Sequence, residues 1–430
     1  MKKMRDLRRC FLAGGLFLGV SAAGSIAAHA QDTQADAIAK LQAQNQALQK
    51  RLDALEDKMD NGGIDSKEMS TPPSVTAATV TILSGYVQTS YFDNLNHPAG
   101  GNSAGYLWNT KSNNFSINKV KLTLASPAVV PNGDKWDAGY RFSLLAGEDA
   151  PILNTNSGTN GFQYLREAYV DINIPIGNGL DVKAGDMISL LNYESGDGGA
   201  ANENFSQGYQ WYYTGDGPET GVQLSYDITK WLNVKVRIED GLFSAVATRD
   251  HKGYMGSINV KPSSTSWISL LGFGGEGVGN EDADGGEILA GWQITKKLGT
   301  GFEGDYFHLD AETGQSGELW SLGTWVWYDF TPEVGLAFRG EFVGDPDGAG
   351  LNVSSLNGSA LAPPLRGGTS AISSPDQSGD IASLTLTLNF RPTPNIKIQP
   401  EIRYDTTTYA GGFNGKTDQI IAGCGISYLY

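Results

Sequence analysis

The C-terminal stretch at residues 420–430, IIAGCGISYLY, alternates with the two-residue period of a β-strand. One face of that strand is apolar and ends in two tyrosines, whereas the other face is mostly small. The apolar face comprises Ile420, Ala422, Cys424, Ile426, Tyr428 and Tyr430. An exposed apolar edge would pair with other chains in water, but a barrel closed within a membrane has no free edge. The stretch therefore predicts the last strand of a transmembrane β-barrel.

The residues at 1–30 have the three-part pattern of a secretory signal peptide. Basic residues precede an apolar run at residues 10–20, and the small-residue site Ala28-His29-Ala30 follows. A membrane anchor would need a longer apolar core. Residues 1–30 are therefore predicted to direct export through the inner membrane and to be cleaved.

Residues 31–60 contain a heptad pattern that predicts a periplasmic coiled-coil helix. The a and d positions of this oligomerisation helix are Ile38, Leu41, Asn45, Leu48, Leu52, Leu55 and Met59. A strict a/d stripe is narrower than the apolar face of an ordinary packed helix, so self-association is the preferred interpretation. A single amphipathic helix lying against the barrel is the alternative. Asn45 favours a dimer, although these residues do not separate two strands from three.

The remaining chain, after a flexible linker at residues 61–78, consists of short alternating runs separated by turn residues over residues 79–430. Short joints alternate with long polar ones, which is the pattern of an outer-membrane barrel. The runs number about sixteen, and an even number places both termini in the periplasm. The predicted fold is thus all-β, an antiparallel up-and-down transmembrane barrel preceded by the coiled-coil helix.

Charged residues recur on one face of the predicted strands, and that face must point into a wet interior because charge facing lipid is costly. The predicted pore-lining residues are Arg141, Glu167, Asp171, Lys235, Arg237, Glu239, Glu303, Asp305, Arg339, Glu341, Lys397, Glu401 and Arg403. Both signs occur in one wall, and a barrel of this size is too wide for side chains to fill, which favours a water-filled channel. The alternative is a set of ion pairs that brace the inner wall of a plugged barrel.

Several segments of the barrel region resemble the OmpL-like beta-barrel porin family. They are the hairpin at residues 166–187, REAYVDINIPIGNGLDVKAGDM, and the shorter segments at residues 192–195, 204–206 and 220–222. The resemblance implies a Gram-negative outer-membrane porin, and porins of the general class are usually trimers. Tyr428 and Tyr430 are similar to the terminal aromatic signal that the barrel-assembly machinery recognises, although phenylalanine is commoner there.

The long joint at residues 190–216 takes the ordinal position of the loop that narrows the pore in general porins. The predicted constriction-loop residues are Glu194, Asp197, Glu203, Trp211, Tyr212 and Asp216. Its carboxylates, opposite Arg141, Arg237 and Arg339, would favour small cations, whereas its aromatic rings would form a slide for sugars. The alternative is a surface loop that anchors at the membrane rim, where Trp and Tyr concentrate.

Composition and motifs exclude other classes of function. The formal net charge of −16 excludes a general nucleic-acid partner. Zinc spacing, a phosphate-binding loop and a dinucleotide fingerprint do not occur, so we expect neither a metal nor a cofactor. His308 is predicted to face outward near the rim, on the same strand face as Tyr306. No serine motif accompanies it, so an outer-membrane lipid hydrolase is the least favoured alternative.

The preferred function is an outer-membrane porin rather than an enzyme. It would let small hydrophilic solutes diffuse passively, with cations or neutral sugars favoured. The expected partners are outer-membrane lipid, lipopolysaccharide, the barrel-assembly machinery and identical chains, with a trimer favoured. A non-conducting structural barrel, linked to the cell wall through its coiled coil, is the main alternative.

Overall fold

The computed structural model describes most of the chain beyond residue 80. The described ranges are residues 81–106, 109–154, 162–214, 217–242, 252–276, 281–311, 316–347, 379–408 and 412–430. The predicted signal peptide, coiled-coil helix and linker at residues 1–78 lie outside these ranges, and so does Asp216 of the predicted constriction loop.

Sixteen antiparallel strands form one closed barrel in the described residues. They are β1 (Ile82–Asn94), β2 (Asn114–Ala125), β3 (Asp137–Ala146), β4 (Leu165–Ile174), β5 (Leu180–Ile188), β6 (Pro218–Thr229), β7 (Leu232–Glu239), β8 (Gly253–Ser263), β9 (Ser266–Glu276), β10 (Glu281–Gln293), β11 (Leu298–Ala311), β12 (Ser316–Asp329), β13 (Val334–Asp345), β14 (Gly379–Thr393), β15 (Ile396–Thr407) and β16 (Asp418–Leu429). Each strand pairs with its sequence neighbours, and β1 pairs with β16. The predicted up-and-down barrel of about sixteen strands is confirmed.

The C-terminal stretch closes this barrel. In the ladder between β1 and β16, Tyr86 lies opposite Leu429 and Asn94 lies opposite Ile421. The ladder continues into the last residue, since the backbone N–H groups of Gly85 and Tyr430 each donate to the other's carbonyl, at 2.9 and 3.0 Å. Closure leaves the backbone groups of both terminal strands paired, as the interior of a bilayer requires.

The strands carry apolar side chains outside and polar side chains inside. In β14, Leu384, Leu386 and Leu388 are 53%, 43% and 39% exposed. Thr385 and Thr387, which alternate with them, are almost completely buried within the barrel. This pattern is the reverse of a soluble sheet, and it fits a barrel whose outer surface meets hydrocarbon.

The connections differ in length at the two ends of the barrel. Residues 230–231, 264–265 and 394–395 form two-residue joints, whereas residues 189–217 join β5 to β6 by a long excursion. Helical structure in the described residues is limited to α1 (Ala150–Leu153), α2 (Tyr209–Tyr213) and two single 3-10 turns, Phe162–Tyr164 and Gly198–Ala200. None of these helices could cross a membrane.

A charge at the centre of an outward face tests the membrane-facing pattern. Leu386 is the middle residue of β14, and Leu386→Lys should lower the free energy of unfolding by about 2–4 kcal/mol because its amine would meet hydrocarbon. Urea unfolding of the refolded barrel in lipid vesicles measures this loss. Leu386→Ile is the matched control and should change stability little. Equal stability of both variants would contradict the assignment of this face to lipid.

Candidate pore and constriction loop

The segment at residues 190–214 lies inside the barrel, against the inner faces of distant strands. Its helix α2 contacts β12 and β13, and its 3-10 turn at Gly198–Ala200 contacts β15, β16 and β1. These strands form the wall opposite β5 and β6, from which the segment emerges. We keep the name constriction loop for this segment. Its position corresponds to the inward alternative and differs from that of a rim anchor.

A buried ion pair between Glu194 and Arg339 fastens the constriction loop to β13. Glu194 Oε1 lies 2.8 Å from Arg339 Nη1, and both side chains are almost fully buried. The indole N–H of Trp325 and the backbone N–H of Gly208 also donate to Glu194, at 3.1 and 2.8 Å. Arg339 lies 2.8 Å from Glu341 as well. Removing one partner of such a buried pair leaves an uncompensated charge, which is strongly destabilising.

The other loop carboxylates in the described residues pair with basic side chains of the wall. Asp197 lies 2.8 Å from Lys121 Nζ and accepts a hydrogen bond from the Tyr86 hydroxyl at 2.9 Å. Glu203 lies 2.6 Å from Arg391 of β14. The sequence predicted that the loop carboxylates lie opposite Arg141, Arg237 and Arg339. Of these arginines, only Arg339 pairs with a loop carboxylate in the described residues, whereas Arg141 and Arg237 pair with Glu167 and Glu219 of the wall. Strand parity gives the face of a side chain but not the residues that lie across the lumen from it.

A further attachment of the constriction loop involves aromatic contacts as well as charge. The guanidinium of Arg403 lies over the rings of Tyr106 and Tyr209, 4.7 and 4.4 Å from their centroids. Arg403 Nε donates to Asp405 at 2.7 Å, and Arg403 Nη1 donates to the carbonyl of Gln207 at 2.6 Å. A guanidinium that contacts aromatic rings and is paired with a carboxylate is well suited to a buried position. Through these contacts, Arg403 joins the loop between β1 and β2 to the constriction loop.

Trp211 and Tyr212 do not form an exposed aromatic slide. They are 4% and 0% exposed, and they pack in the apolar cluster that includes Tyr106 and Tyr209. The rings therefore fill the lumen instead of presenting a face to a passing sugar. The alternative of an aromatic slide does not fit Trp211 and Tyr212, because both side chains are buried in this cluster.

Many predicted pore-lining residues face the lumen but lie beneath the loop. Backbone or side-chain groups of the loop contact each of them, as seen at Glu401, which accepts from the backbone N–H groups of Phe205 and Ser206 at 2.8 and 3.1 Å. The covered residues are Glu303, Asp305, Arg339, Glu341, Lys397, Glu401 and Arg403. In this arrangement they hold the loop and do not line an open passage. The sequence could not reveal which inward residues the loop would cover.

The other predicted pore-lining residues lie on the opposite wall, where pairs form within the wall itself. Arg141 Nε lies 2.9 Å from Glu167 and Lys183 Nζ lies 3.7 Å from Asp171. The remaining members of this group are Lys235, Arg237 and Glu239, of which Arg237 lies 3.1 Å from Glu219 and 3.9 Å from Glu239. Sequence reasoning did not single out Lys121, Lys183 or Glu219. The sequence signal that could have revealed them is the alternation of polar with apolar residues along each strand, which places each of them on the inward face of its strand.

A cavity of about 200 Å³ remains between the loop and this wall. It is lined mainly by β4–β7, and most of its lining is charged or polar. The lining residues are Glu167, Tyr169, Lys183, Met187, Ile188, Leu190, Gln223, Lys235 and Arg237. This cavity is the candidate passage.

Inward-facing glycines provide recesses in which the loop rests. A Cβ atom at Gly301 would overlap the ring of Tyr193, and one at Gly425 would overlap the ring of Phe205. Gly323 receives the side-chain amide of Gln210 in the same way. Glycine inside a strand commonly marks close approach of another group. Such glycines at inward positions are therefore the sequence signal for loop seating that sequence reasoning missed.

The fold and the site together define an outer-membrane barrel of the porin type. The chain belongs to the family described as "Putative beta-barrel porin-2, OmpL-like", which matches residues 80–429. The resemblance predicted from the sequence is thereby confirmed. A porin family and an outer-membrane location agree with the expectation of a protein other than an enzyme.

Solved structures share the fold at low sequence identity. OprB of Pseudomonas putida is 12% identical, with 84% of this chain and 97% of that chain covered and a TM-score of 0.56. OmpT of Vibrio cholerae, an outer-membrane protein, is 11% identical, with coverages of 81% and 97% and a TM-score of 0.52. The outer membrane channel DcaP of Acinetobacter baumannii is 11% identical, with coverages of 81% and 97% and a TM-score of 0.51. Curated proteins give no significant sequence match.

Filling a glycine recess should dislodge the loop. Gly425→Val would expel the ring of Phe205, and overpacking should lower the free energy of unfolding by about 1–3 kcal/mol. Chymotrypsin should then cleave the loop at its aromatic residues, as mass spectrometry of the fragments would reveal. Gly256→Val is the control, because the atom nearest to a Cβ placed there would lie 3.6 Å away. Protection of the loop in Gly425→Val would contradict the seating described here.

The pairing of Asp197 predicts an acid-sensitive attachment of the loop. Burial alone would raise the pKa of Asp197, but Lys121 and Tyr86 stabilise the carboxylate and hold its pKa below the ordinary value. The stabilisation is therefore present above the ordinary pKa of about 3.9 and is lost only as pH falls through the lower folded value. Pepsin cleavage of the loop, followed from pH 5 downward, should begin only below about pH 4.

The variant Asp197→Asn distinguishes the effect of this carboxylate on cleavage from the effects of other carboxylates that titrate in the same pH range. It lacks the charge that pairs with Lys121 at any pH, so its loop should be cleaved throughout the range tested. If the wild type and Asp197→Asn showed the same cleavage profile, the ion pair would not hold the loop.

Proposed function

We propose that this protein is a porin in which small hydrophilic solutes diffuse passively along the cavity between the constriction loop and the β4–β7 wall. The observation that carries the proposal is this charged, polar cavity of about 200 Å³, which the inward loop leaves unfilled. A sixteen-stranded barrel is too wide for wall side chains to close. Ion pairs and hydrogen bonds hold the loop on the far side, so it would narrow the lumen at a fixed place.

The charges of the proposed passage are close to balanced. Arg141 pairs with Glu167, Lys183 with Asp171, and Arg237 with Glu219. The loop carboxylates Glu194, Asp197 and Glu203 are each engaged by a basic side chain, so they supply little support for a strong cation preference. We therefore favour neutral polar solutes such as small sugars, held by hydrogen bonds to the paired charges.

Lys235 is the charge with which selectivity could be tuned. It lines the cavity, is half-buried, and lies near Lys183 and Arg237 on the same wall. A cation at a narrow point attracts anions and repels cations, and the strength of this effect depends on its exposure to the passage. The pore as a whole would therefore have only a weak charge selectivity, because the positive charge of Lys235 opposes the net negative charge of the chain.

The proposal also covers export, assembly and partners, for which the support comes mainly from the sequence. Residues 1–30 would be cleaved on export, and the heptads at residues 38–59 would join three chains in the periplasm. Tyr428 and Tyr430 lie at the outer surface of the barrel, 50% and 43% exposed, where the assembly machinery could reach them. Outer-membrane lipid and lipopolysaccharide would cover the apolar outer face.

The non-conducting structural barrel is the second candidate. The aromatic cluster around Tyr106, Tyr209 and Tyr212 favours it, because these fully or almost fully buried rings block part of the lumen. The two candidates differ in one measurable property, which is conductance.

The first test is reconstitution of the purified mature protein in a planar bilayer. Stepwise conductance with a reversal potential near zero under a salt gradient is the expected result. Lys235→Glu should shift the reversal potential toward cation selectivity, by roughly fivefold in the permeability ratio, because two charge units change at a narrow site. Lys111→Glu makes the same charge change at an exposed loop position and should shift it much less.

A folded barrel that never conducts would overturn the porin proposal and leave the structural barrel. Conductance with a strong cation preference in the wild type would retain the pore but overturn the preference for neutral solutes. Equal shifts in Lys235→Glu and Lys111→Glu would show that solutes do not pass beside β7.

A further inference from the structure

Three inward carboxylates on neighbouring strands come together beneath the constriction loop. Glu287 of β10 and Glu303 and Asp305 of β11 each contribute one oxygen atom, and these oxygens lie within 4.8 Å of one another. The three residues are only 5%, 1% and 6% exposed. The register of the two strands places Glu287 directly opposite Asp305. The barrel wall itself therefore sets the spacing of the cluster.

Donors from the loop satisfy some of these carboxylate oxygens. The backbone N–H of Asn192 donates to Glu287 Oε1 at 2.7 Å, and the Asn192 side-chain amide donates to Glu303 Oε1 at 2.9 Å. The backbone N–H of Tyr193 donates to Glu303 Oε2 at 2.8 Å. Thr214 donates to Asp305 Oδ2 at 2.7 Å. Both ends of the loop thus meet at the cluster.

Two oxygens of the cluster are left without a donor. Glu287 Oε2 and Asp305 Oδ1 are buried and have no hydrogen-bond partner in the described structure. They belong to the two side chains that face each other across β10 and β11. Like charges directly opposite in a sheet are destabilising, and a buried polar atom without a partner is costly. The pair therefore calls for a positively charged or hydrogen-bonding group between its members.

Basic side chains do not fill this role. Among the residues that the structure describes, the ion pairs within 4.0 Å include none formed by Glu287, Glu303 or Asp305. Arg339, which reaches the loop from β13, is engaged by Glu194 and Glu341. Ionised carboxylates buried without a counter-charge are strongly unfavourable.

We propose that Glu287, Glu303 and Asp305 bind a hard divalent cation such as Ca²⁺, which holds the constriction loop against β10 and β11. Calcium takes carboxylate oxygens at about 2.3–2.6 Å, so oxygens separated by up to 4.8 Å can surround one ion. Water would complete its coordination. Because Asn192 and Tyr193 bind the same carboxylates, ion binding and loop position are coupled. The site departs from the sequence-based expectation of no metal, and it does not require that the barrel conducts.

Terbium luminescence tests the site directly. Tb³⁺ replaces Ca²⁺ at oxygen sites, and its emission is sensitised by nearby aromatic rings. Tyr193, whose N–H binds Glu303, stacks on Trp325 with ring centroids 4.5 Å apart. The full-length mature protein, refolded without lipopolysaccharide and stripped with a chelator, should show saturable Tb³⁺ emission that Ca²⁺ reverses.

Two isosteric variants remove the charge while keeping the packing. In Glu287→Gln the new amide can donate to Asp305 Oδ1, and in Asp305→Asn it can donate to Glu287 Oε2, so both barrels should fold. Each variant should weaken Tb³⁺ binding by roughly tenfold or more, because the charge of the ligand set falls. Asp171→Asn is the control, since Asp171 lies on the opposite wall beside Lys183, and it should retain the wild-type affinity.

Folded wild-type protein that shows no saturable binding of Tb³⁺ or Ca²⁺ would overturn the proposal and indicate a proton shared by Glu287 and Asp305. Wild-type affinity in Glu287→Gln and Asp305→Asn would also overturn it, because the ion would then bind elsewhere. Binding that these variants abolish supports the site, whether or not the same preparation conducts in a bilayer. A failure of the proposed pore is thereby distinguished from a failure of the ion site.

Discussion

The hydrocarbon of a bilayer offers no hydrogen-bond partner to a polypeptide backbone, and the rest of this structure depends on that constraint. The sheet must close, and it does so through the ladder between β1 and β16, which extends to the last residue, Tyr430. Closure then inverts the usual arrangement of side chains. Leucines such as Leu386 face outward, and threonines such as Thr387 face inward. The polar interior that results is where the function must lie.

A closed barrel of sixteen strands leaves an interior that its own side chains cannot fill. This protein fills one side of that interior with the constriction loop. Glycines on β11, β12 and β16 make room for the loop, and basic side chains on β2, β13 and β14 pair with its carboxylates. The wall of β4–β7 lines the remaining cavity, and charges on this wall pair with each other, as Lys183 does with Asp171 and Arg237 with Glu219. In the described residues, the acidic cluster of Glu287, Glu303 and Asp305 lies at this interface without a basic partner within 4.0 Å.

Much of the fold could be predicted because its signals are local. Alternation with a period of two reveals both the strand and its outward face, so the strand number and the inward parity of Arg339 or Glu401 follow from neighbouring residues. The partners of the loop are a different matter. Of the arginines expected opposite the loop carboxylates, which are Arg141, Arg237 and Arg339, only Arg339 pairs with one of them in the described residues. Lys121 and Arg391 pair with Asp197 and Glu203 because they lie where the loop crosses the wall.

The sequence by itself therefore determined the class of the fold, the strand that closes it and the polarity of its two surfaces, since each depends on residues close together in the chain. Only the tertiary structure decided which inward charges the loop covers, where a cavity remains, and that Glu287 and Asp305 meet without a counter-charge. Contacts such as Phe205 against Gly425 join residues far apart in sequence. Their existence depends on the curvature of the closed barrel and on the path of the loop through it, and no local pattern encodes either.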